Sequence, residues 1–306
     1  MQPLVTIGVA NYNNANYVLD TLNSIKAQNY PNVEVVIIDD CSADNSPAMI
    51  RDWLKDYNKP AKFIIHEKNR GVSAVCNEIL KNAKGKYISL IATDDIMMPE
   101  KISIQVDIME KTPDDVGIVY SDAYLIKEDG SPRFGLYMQR FRDFEDAPEG
   151  DVFNELLKGT FTPDNTMLFK SSCYADVGGY DEGLIYEDQD MLLRLARKYK
   201  FIYSDYVSLK YRLRKNSLSV TIRNWYASQL KVFAKHVNYS NDALNALEMT
   251  ARNAYYERDK EALNSLEEYK HLSKYIATLN ILWKLRIPRS IVRIMAKMGK
   301  GFTLKA

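Results

Sequence analysis

Val33-Glu-Val-Val-Ile-Ile-Asp39-Asp40 is a short apolar, mostly β-branched run that stops on two adjacent carboxylates. Its length and residue types predict a buried strand. The same form recurs along the first 120 residues. Residues 4–10 make another apolar run, followed by the polar stretch Asn11-Tyr-Asn-Asn-Ala-Asn, a loop and helix cap. Residues 62–66, 87–91 and 116–121 predict three more strands, and the run at 87–91 leads into Thr93-Asp94-Asp95. Between them the spacing changes to that of helices. Val18, Leu22 and Ile25 mark a helix over 17–28, and Ile50, Trp53 and Leu54 mark one over 48–57. Further helices are expected at 71–82 and 102–111.

Strands alternating with helices across short loops predict an α/β protein with a mostly parallel, doubly wound, Rossmann-like sheet. In such sheets ligands bind beyond the carboxyl ends of the strands. The loops after the first, second and fourth strands carry Asn11-Tyr12, Asp39-Asp40 and Asp94-Asp95, so acidic and polar groups gather at one edge. Residues 124–166 are irregular and are expected to be a long excursion without a core of their own. A helix over 188–198 follows, with Met191, Leu192 and Leu195 on one side. From residue 224 onward the chain reads as helices. The expected division is a sheet domain over 1–222 and a helical C-terminal extension over 223–306.

Composition narrows the partners. Hydrophobic residues are 46% and charged residues 26% of 306, the make-up of an ordinary globular protein. The net charge of +1 gives no reason to expect a nucleic-acid partner. Charge is uneven, however: residues 281–306 hold seven basic residues and no acidic ones, which leaves the first 280 residues at −6. Cys41, Cys76 and Cys173 have neither metal-type spacing nor a disulfide framework, which suits a reducing cytosol. No secretory leader is read at the N-terminus, and no stretch reaches the ~20 apolar residues of a spanning helix.

Each acidic pair has a plain structural use as well as a chemical one. Asp39-Asp40 could end a strand in solvent or accept hydrogen bonds from a base or ribose. Asp94-Asp95 could cap a loop. Two adjacent carboxylates also repel, and a divalent cation bridging to a diphosphate relieves that repulsion. Glu187-Asp188 suits a first helical turn electrostatically, or could supply a general base. His236 and His271 lack partners at ligand spacing and are expected at the surface.

Taken in order, the motifs Val5-Thr-Ile-Gly-Val-Ala-Asn-Tyr-Asn, Glu34-Val-Val-Ile-Ile-Asp39-Asp40-Cys-Ser42, Asn69-Arg70-Gly71, Ala92-Thr-Asp94-Asp95, Gly178-Gly179-Tyr180-Asp181-Glu182 and Tyr186-Glu187-Asp188 resemble the inverting family 2 glycosyltransferases of GT-A fold. The resemblance runs from about residue 4 to about 218 and closes at Tyr211-Arg-Leu-Arg-Lys-Asn-Ser217-Leu-Ser219. It implies roles for the matching positions. Ala10 and Tyr12 would hold the nucleobase by main chain and stacking. Asp40 would bind the base edge with Asp39 close by, and Arg70 would approach the diphosphate. Asp95 would be the leading ligand of a divalent metal, Mn²⁺ or Mg²⁺, with Asp94 nearer the ribose or sugar. Asp188 would be the catalytic base.

Two positions depart from the family pattern. Ala92 stands where many members have a first aspartate, which weakens the metal site. Cys41 stands where a glycine is usual. The Gln-x-x-Arg-Trp motif of processive synthases is absent, so single-sugar addition is expected. The donor would be a nucleotide sugar, by preference a UDP-sugar. The acceptor would be a glycan or lipid-linked acceptor, in bacterial surface polysaccharide or lipid-linked glycan synthesis. The rival readings are a nucleotidyltransferase, which should carry a Gly-rich phosphate loop after the first strand, and a noncatalytic nucleotide-binding scaffold. In residues 289–300, Arg289, Arg293, Lys297 and Lys300 share one side of a helical wheel opposite Ile291, Val292, Ile294, Met295 and Met298. Such a helix suits an anionic membrane surface, and the expected place is the cytoplasm, peripheral on the inner face of the plasma membrane. An oligomer is left open.

Overall fold

The structure, a computed structural model, describes residues 2–141, 147–184, 187–215, 224–290 and 292. Most of the basic segment 289–300, and the Ser217-Leu-Ser219 end of the family resemblance, lie outside the described residues. The chain divides into two compact units, one of Met1–Gly183 with Glu187–Ser217 and one of Leu184–Tyr186 with Leu218–Ala306.

The first unit is an α/β sheet structure, as the alternation predicts. Four parallel strands form its N-terminal half, in the order β3 (Ala61–Ile65), β2 (Val33–Asp39), β1 (Val5–Asn11), β4 (Tyr87–Ala92). β1 and β2 are almost entirely buried, which is why they read as continuous apolar runs. Helices α1 (Val18–Lys26), α2 (Ser46–Lys55), α3 (Val72–Asn82) and α4 (Lys101–Glu110) connect and cover them. Val5, Ile7, Val9, Leu22, Ile25, Ile37 and Ile50 are completely or almost completely enclosed in the resulting core.

The register places the polar strand ends together. Asn11 is paired with Asp39, and Ala10 with Ala92. The Asn11, Asp39-Asp40 and Thr93-Asp94 segments therefore leave the sheet at one edge, as the parallel order requires.

The other half of the sheet is mixed. β8 (Leu168–Lys170) lies between β4 and β6 (Val116–Ile126), antiparallel to both. β9 (Lys200–Arg212) runs parallel to β6 on its other side, and the two-residue β5 (Ile96–Met97) pairs with β9. Neither β5 nor β9 is legible from the sequence. The burial of β9 does not alternate cleanly, and its pairing with β6 shifts register between Ser121 and Ala123.

Residues 124–166 correct an expectation. They are not irregular, and their buried side chains belong to the first unit. β6 continues to Ile126 and pairs with β7 (Pro132–Leu136); α5 (Tyr137–Phe141) and α6 (Phe153–Leu157) follow. Val152, Phe153, Leu156, Leu157 and Phe161 are buried. Their spacing is helical, and the side chains of this short segment pack toward α8 (Glu187–Ala196), where Gln189 Nε2 donates to the Leu156 carbonyl at 2.8 Å. Helix α7 (Ser171–Val177) precedes α8 and ends at Gly178.

The second unit contains α9 (Trp225–Ala234), α10 (Asn241–Glu257), α11 (Lys260–Tyr269) and α12 (Lys274–Lys284). Side chains cap three of them: Ser240, Asp259 and Ser273 accept from the first-turn amides of α10, α11 and α12. His236 corrects a second expectation, because it is fully buried. The turn after α9 doubles back, with His236 N donating to Phe233 and its carbonyl accepting from Tyr239 and Ser240, and this draws the ring inward. His271 is exposed, as expected. Among the described residues no helix is long and apolar enough to cross a membrane.

Candidate active site

The sheet edge is built on a continuous line of hydrogen bonds. Asn11 Nδ2 donates to Asp39 Oδ2 at 2.6 Å, and Asn11 Oδ1 accepts from Thr93 Oγ1 at 2.7 Å. Asn14 Nδ2 donates to Thr93 Oγ1 at 2.9 Å, and Asn14 Oδ1 accepts from Arg214 Nη1 at 2.7 Å. Arg214 Nη1 also reaches Asp94 Oδ2 at 2.9 Å. Asn11 and Thr93 are almost wholly buried, so each must find its partners inside the protein.

The two aspartates after β2 do different jobs. Asp39 is 0% exposed, and its carboxylate accepts from Asn11 Nδ2, Ser42 N and Ser42 Oγ. It is enclosed by scaffold donors, and Asp40 is buried beside it at 3% exposed. Asp40 Oδ1 accepts from His66 Nδ1 at 2.7 Å and Arg70 N at 2.8 Å, and Oδ2 from Gly71 N at 2.8 Å. These bonds fix the turn that presents the half-exposed Arg70 side chain. Gly71 stands at φ 85, a backbone state that side chains resist. Tyr12 is 50% exposed at the mouth of the edge. Ala10 lies beneath it in the strand, and its carbonyl already accepts from Thr93 N at 3.1 Å.

Asp94 and Asp95 diverge. Asp94 faces outward enough to pair with Arg214. Asp95 is 2% exposed; Oδ2 accepts from Asn165 Nδ2 at 2.6 Å and Oδ1 from Arg212 N at 2.8 Å. Burial, and then the charge of Asp94, push its carboxyl well above the usual range. A buried carboxylate beside a second one is a donor set that would suit a divalent ion. Each Asp95 oxygen retains a second lone pair, so Asn165 and Arg212 act as orienting partners of the kind that surround metal ligands. Among the described residues no group of three ligating side chains occurs, so further ligands would come from a substrate or water.

Arg212 and Arg214 were not singled out as site residues by sequence reasoning. They flank the Tyr17 ring at 4.7 and 4.8 Å. Arg212 is buried and spans the Asp94 carbonyl, the Glu128 carbonyl and Asp20. Their signal was their charge at the end of a strand-length segment, hidden because β9 itself was not read.

Glu187 and Asp188 begin α8, and Asp188 Oδ1 accepts from Gln189 N at 2.7 Å. Burial, and then the nearby Asp164 carboxylate, push Asp188 up to about 7. Glu187 is raised well above its usual range by burial and by Asp188. Asp190 turns away into the protein, where it pairs with Arg194 at 2.9 Å. Arg194 in turn holds the carbonyls of Val177, Gly178 and Gly179. At Gly179 an added Cβ would lie 2.4 Å from Asn77 Oδ1, the atom that accepts from Tyr180 N. The glycine pair thus docks the segment leading to α8 onto α3. Asp164 and Asn165 are adjacent in sequence; one adjoins Asp188 electrostatically and the other bonds Asp95, so a single turn serves both acidic pairs.

The profile of glycosyl transferase family 2 matches residues 6–173. An uncharacterized glycosyltransferase of Methanocaldococcus jannaschii is 32% identical over 230 residues, covering 71% of this chain and 74% of that protein. The putative teichuronic acid biosynthesis glycosyltransferase TuaG of Bacillus subtilis is 29% identical over 162 residues, 52% of this chain and 59% of that protein. An uncharacterized glycosyltransferase of Rickettsia felis is 28% identical over 226 residues, 72% of this chain but 36% of its own length. Two solved structures share the fold. Staphylococcus aureus TarS in complex with UDP-GlcNAc has a TM-score of 0.68 at 19% identity, covering 90% of this chain and 83% of that one. The mannosyltransferase PcManGT from Pyrobaculum calidifontis, in complex with GDP-Man and Mn²⁺, has a TM-score of 0.58 at 18% identity, covering 92% and 87%.

Proposed function

Since this chain belongs to glycosyl transferase family 2 and is a glycosyltransferase of GT-A fold, we propose that it moves a single sugar from a UDP-sugar to an acceptor hydroxyl with inversion. The observation that carries this reading is the convergence of Tyr12, Asp40, Arg70 and Asp94-Asp95 on one sheet edge, joined through Asp164-Asn165 to Asp188.

In this reading Tyr12 stacks on the base, with Ala10 beneath it. Asp40 offers its remaining acceptor position to the base edge while holding the Arg70 turn. Arg70 meets the diphosphate. Asp94 and Asp95 would hold a divalent metal, which when bound neutralises charge on the departing nucleoside diphosphate. Arg214 lies against Asp94 and adds fixed positive charge there. Asp188 takes the acceptor proton as the hydroxyl attacks the anomeric carbon; its raised proton affinity suits a base working near neutral pH. The bond to the diphosphate breaks as the glycosidic bond forms, and the configuration inverts.

The relatives' names include teichuronic acid biosynthesis, and one structural neighbour holds UDP-GlcNAc. Both support a UDP-sugar donor and a bacterial surface polysaccharide or lipid-linked glycan as product. The test is UDP release from a panel of nucleotide sugars, with Mn²⁺ and with EDTA. Release that requires Asp188 and an acceptor supports the reading. No release from any donor would favour a nucleotide-binding scaffold.

A further inference from the structure

The helical unit contains a cleft of about 430 Å³ whose walls include Arg258, Asn264, Asn280, Trp283, Lys284 and Arg286. Two of these residues stand in an unusual place. Helices α10 and α12 end in the same closure. Asp259 N reaches back to the Ala254 carbonyl at 3.0 Å, and Ile287 N to the Leu282 carbonyl at 3.0 Å. In each, the residue just before that donor adopts the left-handed conformation: Arg258 at φ 57 and Arg286 at φ 56. This position normally belongs to glycine, because a Cβ there crowds the following carbonyl oxygen. Here both positions carry arginine, and both arginines line the same cleft.

The simpler use of such arginines is to offset the negative end of each helix. That use does not require the left-handed position, and Lys284 already stands in the last turn of α12. Lys284 is also balanced: its Nζ lies 2.6 Å from Glu267, which further accepts from Asn280 Nδ2 and pairs with Lys270. Among the described residues no carboxylate forms an ion pair with Arg258 or Arg286. The cleft therefore holds surplus positive charge. One wall is aromatic, and its plane is set by the bond from Trp283 Nε1 to Asn264 Oδ1 at 3.0 Å.

We propose that this cleft binds an acidic saccharide, with Arg258 and Arg286 taking its carboxylate or phosphate groups and Trp283 packing on a sugar face. Guanidinium groups match both anions in bidentate fashion, so the shared chemistry is a planar or tetrahedral oxyanion on a glycan. An aromatic wall adds nothing to the capture of a bare phosphate, and a neutral sugar has no need of two arginines. The site would grip the acceptor through residues of the helical unit; its identification with the acceptor rests on the glycosyltransferase reading, whereas its occupancy does not.

The test uses the full chain and isothermal titration with four probes: tetragalacturonate, a glycerol phosphate oligomer, a neutral oligosaccharide of equal length, and phosphatidylglycerol vesicles. One or both of the acidic oligomers should bind, and which one does distinguishes carboxylate from phosphate. The neutral oligosaccharide should bind at least about tenfold more weakly. The double variant Arg258→Gly/Arg286→Gly should lose about tenfold or more for the acidic probe, the effect of removing charge-assisted hydrogen bonds. Its thermal midpoint should be unchanged or higher, since glycine suits both backbone positions, and UDP binding should be unaffected. The proposal is overturned if neither acidic oligomer binds the native chain, if the neutral oligosaccharide binds equally, if the double variant binds as tightly as the native chain, or if only the vesicles depend on the two arginines. Absence of UDP release would sink the enzyme reading and leave these binding results standing.

Discussion

Arg214 donates to the carboxylate of Asp94 at 2.9 Å, joining positions 120 residues apart. This pair compensates part of the repulsion between Asp94 and Asp95. Removing the guanidinium leaves adjacent carboxylates with less counter-charge and a diphosphate with fewer donors. Arg214→Ala should therefore weaken UDP binding about tenfold and make it more dependent on Mn²⁺. Calorimetric titration of UDP in EDTA and in Mn²⁺ checks both; equal affinity in native and variant proteins would refute the role.

Asp188 is held near a value of about 7, chiefly by burial and then by Asp164. Only the ionised form accepts a proton, so kcat/KM should rise with pH through the neutral range and level off above it. Removing the negative neighbour favours the ionised form. Asp164→Asn should thus move the acid limb of the profile to lower pH. Asp188→Asn should abolish transfer while preserving UDP binding, and equal loss of both would remove Asp188 from the role of base.

Cys41 is in the left-handed conformation at φ 63, directly after Asp40. A side chain there is strained, and the bond from its Sγ to the Glu67 carbonyl, 3.5 Å, comes from a weak thiol donor. Cys41→Gly should stabilise the protein by about 1 kcal/mol, although glycine's added freedom in the unfolded chain offsets part of that gain. Urea denaturation with an unchanged slope measures it; destabilisation would show that the thiol contact outweighs the backbone strain.

Lys101 is fully buried; its Nζ donates to Gln105 Oε1 at 3.1 Å and the Met167 carbonyl at 3.2 Å, and the nearby Asp164 carboxylate offsets part of the cost of its charge. Burial lowers its proton affinity to about 7. Between that value and the ordinary lysine range the unfolded chain binds the extra proton, so this group makes stability rise with pH. Lys101→Met should raise the thermal midpoint, and by more at pH 6 than at pH 9. The Met167 carbonyl keeps Ser89 Oγ as a donor, which limits the cost. An equal shift at both pH values would show that charge is not the cause.

The N-terminal half of the sheet was readable because β1, β2 and β4 are buried on both faces and so appear as apolar runs closed by polar residues, with the more exposed β3 at the edge. The parallel order then carried Asn11, Asp40 and Asp94 to one edge without further information. The mixed half was not readable for the opposite reason. β8 is three residues long, β5 is two, and β9 changes register midway, so none offers a sustained period. Arg212 ends β9, Arg214 follows it, and Asp164 and Asn165 lie in the turn before β8, so their place in the site was hidden with those segments. Asp39 illustrates a different limit. Adjacent aspartates look alike in a sequence, and only the structure shows that both are buried among different donors, Asp39 among Asn11 and Ser42 and Asp40 among His66, Arg70 and Gly71.

The line of bonds running from Asp39 through Asn11, Thr93, Asn14 and Arg214 to Asp94 has a consequence for how donor preference can change. The end that would meet a base and the end that would meet a phosphate share one skeleton of obligate partners. A substitution at Asn11, the neighbour of Tyr12, leaves Thr93 and Asp39 in need of new partners, and the disturbance propagates toward Arg214. Redesign for another nucleotide therefore has to proceed in compensated pairs, or confine itself to Tyr12, which stands outside the line.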